Sequence, residues 1–154
     1  MADDPEADRA ALILGVFTEI GILEQLGRAF LEARLDGVGA AVWGLMSHLS
    51  KRRDGRTPLE LARAFQVPKT TMSHTVAVAL KRGWVETAPN PRDARSKIVR
   101  PTDAGLAWFS TVAGRIGPDL AARLSDVPTD DLAVLRARLA ALRAVVDARR
   151  DPQR

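Results

Sequence analysis

The sequence predicts a mainly α-helical chain with a small β-hairpin: a winged helix-turn-helix joined to a helical dimerisation region. Three observations predict it. Apolar residues recur at helical spacing near both ends, a complete helix-start signal and a proline break sit in the middle, and two short β-rich segments flank a turn-rich run just after a helix-stopping glycine.

The N-terminal stretch places Leu12, Val16, Ile20, Leu23, Leu26 and Phe30 in steps of three and four, with Ile13, Phe17, Ile22 and Leu31 as a second apolar flank. A helix apolar on more than one face is buried between partners, because a single packing surface leaves one flank wet. Val38, Val42, Leu45, Met46 and Leu49 predict a short second helix, which the basic run Lys51–Arg56 ends. Thr57-Pro58-Leu59-Glu60 then supplies an N-cap, a proline at the first helical position and the glutamate of a capping box. Leu59–Phe65 forms one short helix and Val67-Pro68 breaks it. The next helix runs from about Lys69 to Arg82, with Met72, Val76, Ala79 and Leu80 inward and Gly83 as its stop.

Trp84–Thr87 and Lys97–Arg100 read as strands around the turn-rich Pro89–Ser96, and Pro101 is expected to end the second strand early. A further helix over 102–124 carries Leu106, Phe109, Val112, Ile116 and Leu120, with a kink expected at Gly117-Pro118. Finally Leu132, Leu135, Leu139, Leu142 and Val146 are spaced three, four, three, four, behind a start at Thr129 and two acids. That seam suits a partner helix in a second chain, or amphipathic packing within its own monomer. Two apolar terminal helices in so small a chain favour the dimer. The resulting division is 1–36 N-terminal dimerisation helix, 37–101 winged helix-turn-helix lobe, and 102–154 C-terminal helices that complete the dimerisation region.

Composition narrows the function. At 154 residues with 46% hydrophobic content the chain suits one compact domain or two short elements sharing a core. It has no cysteine, which removes disulfides, thiolate metal sites and thiol chemistry. There is no uninterrupted run of 18 apolar residues and the start is acid-rich, so neither a membrane span nor a secretory signal is expected, and the location is read as cytoplasmic. Net charge is only +4, yet residues 51–100 hold twelve lysines and arginines against four acids. Such asymmetry points to an anionic partner, or to a solvated basic face with none.

A helix enters the DNA major groove if its outward face is small, polar and basic, and Lys69, Thr70, Thr71, Ser73, His74 and Ala77 meet that requirement. At the hairpin tip, Asp93 and Arg95 are two apart, so the carboxylate is expected to hold the guanidinium extended, as suits a narrow, electronegative minor groove. Arg92, Lys97 and Arg100 around them suit phosphate contact. The alternative for the pair is an idle surface ion pair. No glycine-rich phosphate loop, zinc-hydrolase signature or thiol is present, and Ser47-His48 and Ser73-His74 are adjacent on helices, where side chains diverge. An enzyme, a metal site and a cofactor are therefore not expected.

The run from Thr57 to Gly105 resembles the winged-helix core of the MarR (multiple antibiotic resistance regulator) family. The resemblance is clearest in Lys81-Arg82-Gly83-Trp84-Val85-Glu86, Asn90-Pro91-Arg92-Asp93-Ala94-Arg95-Ser96 and Thr102-Asp103-Ala104-Gly105. It implies a homodimeric, sequence-specific regulator, commonly a repressor, that binds a pseudo-palindromic double-stranded site with contacts around Thr71, Ser73 and His74 and a minor-groove role for Arg95. It also implies a small aromatic or lipophilic effector, with Phe17, Trp43, Met46, His48 and Trp108 near the pocket, although apolar residues at helical spacing usually pack as core. Gln66 stands where the family's turn often has glycine, so a left-handed backbone there carries roughly 1 kcal/mol of strain. His74 replaces a frequent arginine and Ala77 a frequent acid. A winged helix used for protein contact, or a nonspecific nucleic-acid binder, is the alternative reading.

Overall fold

A computed structural model describes residues 5–35 and 37–149. The elements are α1 (Pro5–Glu32), α2 (Ala40–Ser50), α3 (Pro58–Phe65), α4 (Lys69–Lys81), β1 (Val85–Asn90), β2 (Asp93–Pro101), α5 (Asp103–Arg123) and α6 (Thr129–Ala148). The chain divides into two compact units, one ending at Ile116 and one beginning at Gly117.

In the first unit the core gathers Leu35, Val42, Leu45, Met46 and Leu49 from α2 and its approach, Leu61 from α3, and Met72, Val76 and Ala79 from α4. Trp84, Val85 and Val99 of the hairpin and Val112 and Ile116 of α5 complete it. The α2 residues are those the periodicity selects. On α4 one position differs: Leu80 is 39% exposed, and Thr75 is buried in its stead. Thr75 tolerates burial because its hydroxyl donates to the Thr71 carbonyl at 3.1 Å, leaving no polar group unpaired.

The α3 start is a full capping box. The Thr57 hydroxyl accepts from the Glu60 N–H at 3.2 Å, and the Glu60 carboxylate accepts from the Thr57 N–H at 2.7 Å. Those bonds to Thr57 hold the Glu60 carboxyl below the ordinary carboxylate range. The capping contribution is thus fully present above the unfolded carboxyl's pKa and is lost as pH falls through the lower folded value. Thr57→Ala is expected to cost about 1 kcal/mol, read as a lower denaturation midpoint at unchanged m-value.

Gln66 closes α3 at φ 54°, ψ 38°, the left-handed conformation in which a non-glycine residue carries strain of roughly 1 kcal/mol. Its neighbour Val67 donates to Ala62 O at 3.1 Å, which brings α4 in tightly behind α3.

The hairpin is longer than its sequence signal. β1 and β2 pair antiparallel from Val85↔Pro101 to Pro89↔Lys97, with an irregularity between Pro89 and Asn90. β2 thus continues through Pro101, contrary to the early stop expected; a proline is tolerated in the last position, where the ladder requires no further N–H. A third segment joins the sheet, since Arg56 and Val99 exchange both backbone hydrogen bonds, at 3.0 and 2.8 Å. Gly55 makes that approach possible. It sits at φ 86°, and a Cβ there would lie 2.8 Å from the Val99 carbonyl oxygen.

Thr102 ties α5 to the end of α4. Its N–H donates to Trp84 O at 3.0 Å, while its hydroxyl donates to Gly83 O at 2.6 Å and accepts from the Gly105 N–H at 3.0 Å. Gly83, at φ 71°, is the predicted stop. α5 then runs continuously through Gly117 and Pro118 to Arg123.

None of the residues of α1 is buried: Leu12 is 73% exposed and Leu26 63%. Against expectation, α1 is long and apolar enough to cross a membrane by length and composition alone. Glu19 and Glu24 lie within it, and a carboxylate at the centre of a bilayer costs about 2.5–3.5 kcal/mol, which favours a protein partner for this helix. In the second unit α6 begins at Thr129 with Pro128 as its N-cap, and likewise has no buried residue.

Candidate nucleic-acid interface

α4 separates its two faces cleanly. Lys69, Thr70, Thr71, Ser73, His74 and Ala77 are all exposed, while Met72, Thr75, Val76 and Ala79 are buried. The outward side chains are therefore free to reach a groove without disturbing the core.

The wing tip is built by its own short polar side chains. Asn90 accepts from the Arg92 N–H at 3.0 Å and donates to the Ser96 hydroxyl at 2.8 Å, while that hydroxyl donates to Asp93 O at 3.2 Å. Asp93 accepts from the backbone N–H of Arg95 at 3.0 Å. The expected Asp93–Arg95 ion pair is absent among the described residues: the carboxylate fixes the backbone beneath Arg95 and leaves its guanidinium to solvent. Arg92, Arg95 and Lys97 are exposed, with no ion-pair partner among the described residues, whereas Arg100 pairs with Glu86 across the strands at 3.1 Å. Asn90 and Ser96 fall in the turn-rich run of the sequence, but nothing in that run assigns them this bracing role.

Behind the wing, a cleft of about 160 Å³ lies between Asp54, Arg56 and Glu60 on one side and Asn90 and Arg92 on the other. Asp54 accepts from Arg56 at 2.6 Å, which holds its carboxyl below the usual range. The place of Arg56 in the sheet has no signal in the sequence, since a single bridging residue has no periodicity.

Of the residues suggested for an effector, Trp43 and Trp108 meet edge to face at 6.2 Å, and Trp108 stacks on Trp84 at 3.9 Å. Met46 is fully buried in the same core. His48 packs instead on Phe65, at 5.4 Å between rings; its partial burial and then the nearby Arg52 and Arg56 lower its pKa and favour the neutral imidazole. Phe17 lies on α1, 49% exposed, and makes no ring contact with the others.

A short helix pair closed by a left-handed turn, a polar outward α4 and a braced basic hairpin define a winged helix-turn-helix protein. A sequence profile of the MarR family matches residues 36–96. Over that segment the chain is similar to the MarR family. It is 32% identical over 80 residues to the multiple antibiotic resistance protein MarR of Salmonella typhimurium, and 31% identical over 80 residues to that of Escherichia coli. Each match covers 51% of this chain and 56% of the relative, so the chain spans just over half the length of these curated relatives. Among solved structures, a mutant MarR from E. coli complexed with operator DNA matches at TM-score 0.73 and 25% identity, over 84% of this chain and 94% of that one. The transcriptional regulator BldR from Sulfolobus solfataricus matches in fold at TM-score 0.72 and 19% identity, over 83% and 94%.

Proposed function

We propose that this chain is a sequence-specific double-stranded DNA-binding transcriptional regulator, a cytoplasmic homodimeric repressor that a small aromatic or lipophilic effector releases. The observation that carries this reading is the exposed polar face of α4 beside a wing whose Arg92, Arg95 and Lys97 have no ion-pair partner among the described residues. The operator complex of the E. coli relative supports DNA as the anion they meet. In this reading Thr71, Ser73 and His74 read base edges, Lys69 and Thr70 hold phosphate, and Arg95 enters the minor groove from a backbone that Asp93 fixes.

Residues 37–101 form the reading lobe, and 1–36 and 102–154 supply the dimerisation region. Exposed leucines on α1 and, separately, on α6 support a second copy as their cover. The effector is proposed to act at Trp43, Met46 and Trp108, with Phe17 and His48 as further candidates, since an apolar wall of this kind suits a small aromatic or lipophilic molecule.

Selection of bound duplexes from a random pool tests the reading. A two-fold symmetric motif with half-sites about one helical turn apart is expected. Binding to every duplex alike would instead mark a nonspecific binder, and no binding a protein-contact module. On the selected site Arg95→Ala is expected to weaken binding and flatten the salt slope by about one unit for each phosphate no longer neutralised, with sequence preference in the major groove unchanged. Thr71→Ala or His74→Ala is expected to change that preference, by about 1–3 kcal/mol at the base it reads.

A further inference from the structure

The turn between α2 and α3 carries three consecutive cations that neither α4 nor the wing accounts for. Lys51, Arg52 and Arg53 are exposed, and among the described residues none has an acidic partner. The one acid beside them, Asp54, is engaged by Arg56. The turn is ordered by its own backbone: Arg52 N–H donates to Leu49 O at 2.9 Å, and Gly55 N–H donates to Arg52 O at 3.0 Å. It is also stitched to the wing, through the paired Arg56–Val99 hydrogen bonds that the left-handed Gly55 permits.

Charge at the end of α2 complements the helix dipole, but that accounts for the first cations after the helix and not for Arg53. A protein-contact surface would be anchored by a buried aromatic or aliphatic residue, and the run from Ser50 to Arg56 contains none. Arginines carried on an ordered turn beside a basic wing, with no ion-pair partner among the described residues, suit phosphate, which guanidinium grips through parallel N–H donors.

Resting on the DNA-binding reading, we propose that Lys51, Arg52 and Arg53 form a second phosphate-binding surface that holds the DNA backbone beyond the stretch read by α4 and the wing. Contacts of this kind add affinity and salt dependence without adding sequence preference.

The test uses the full-length protein and its Arg52→Gln/Arg53→Gln variant, with wild-type far-UV circular dichroism as the check on folding. Each is titrated at several salt concentrations onto the selected duplex, and onto the same duplex shortened by about five base pairs at both ends, half a helical turn. On the long duplex the variant is expected to show a slope shallower by about two units per bound protomer, with its preference over a scrambled duplex unchanged. On the short duplex the two proteins are expected to converge. An unchanged slope on the long duplex overturns the proposal, and an equal loss on both duplexes overturns the placement beyond the half-site. Failure of the DNA-binding reading looks different, because the wild type then shows no sequence preference and Arg95→Ala no effect.

Discussion

Gly105→Ala is expected to destabilise the protein by about 3 kcal/mol through the addition of a single methyl group. A Cβ at Gly105 would lie 2.0 Å from the Trp84 carbonyl oxygen, 2.7 Å from its carbon and 2.8 Å from Met46 Cε. The methionine end can swing away, since its side chain is flexible. The Trp84 carbonyl has no such freedom, because it accepts from Thr102 N–H at 3.0 Å and lies one residue beyond Gly83, whose own carbonyl takes the Thr102 hydroxyl. The start of α5 must therefore retreat and give up both bonds, which also parts the Trp84–Trp108 stack. The expected readouts are a melting temperature lower by on the order of 10 °C and a changed near-ultraviolet tryptophan signal. Gly114→Ala supplies the control: that site is exposed with nothing within 4 Å of an added Cβ, so the change is expected to stabilise slightly, by about 0.5–1 kcal/mol. Equal melting of Gly105→Ala and wild type would mean that α5 does not pack on Trp84 in this way.

That joint shows where reading the sequence stops. Thr102-Asp103-Ala104-Gly105 is legible as a helix start and as a family motif, but a start signal says nothing about what the helix packs against. The need for glycine at 105 arises from the carbonyl of Trp84, across the whole hairpin. Elements whose signals are local are legible in full: the Thr57–Glu60 box, the α2 core face and the Gly83 stop. Where the signal is local but the outcome tertiary, the structure differs. Pro101 breaks a strand in isolation, yet it pairs with Val85 because its position closes the ladder. Leu80 suits the apolar period but stays wet, and Thr75 replaces it by turning its hydroxyl back on its own helix. At the interface the residue types of α4 and the wing are legible, whereas the bracing by Asn90 and Ser96 and the backbone role of Asp93 depend on turn geometry that composition does not encode.

A single charge in the α6 seam is expected to abolish the proposed dimer. Leu132, Leu135 and Leu139 are 38%, 48% and 38% exposed, and Val145 and Val146 about half exposed, so this helix carries apolar area that its own unit leaves uncovered. Covering a leucine fully contributes about 1.5–3 kcal/mol, and a stripe repeated on two chains supplies the self-complementary patch that a two-fold dimer requires. Leu139→Asp places a carboxylate in that patch twice, once from each copy, and each unpaired buried charge costs several kcal/mol. Light scattering is expected to give a dimer of the 16.7 kDa chain for the wild type and a monomer for the variant. Because α2–α4 and the wing draw their core from other residues, the variant is expected to keep its tryptophan signal and to bind a half-site as the wild type does. On the full site, affinity is expected to fall by about 10²–10⁴, the advantage that linking two reading lobes confers. A Leu139→Asp protein that stays dimeric moves the interface to α1, where Leu23 and Leu26 are 58% and 63% exposed and become the next positions to charge. A monomeric wild type removes the second lobe from the argument, and with it the symmetric operator.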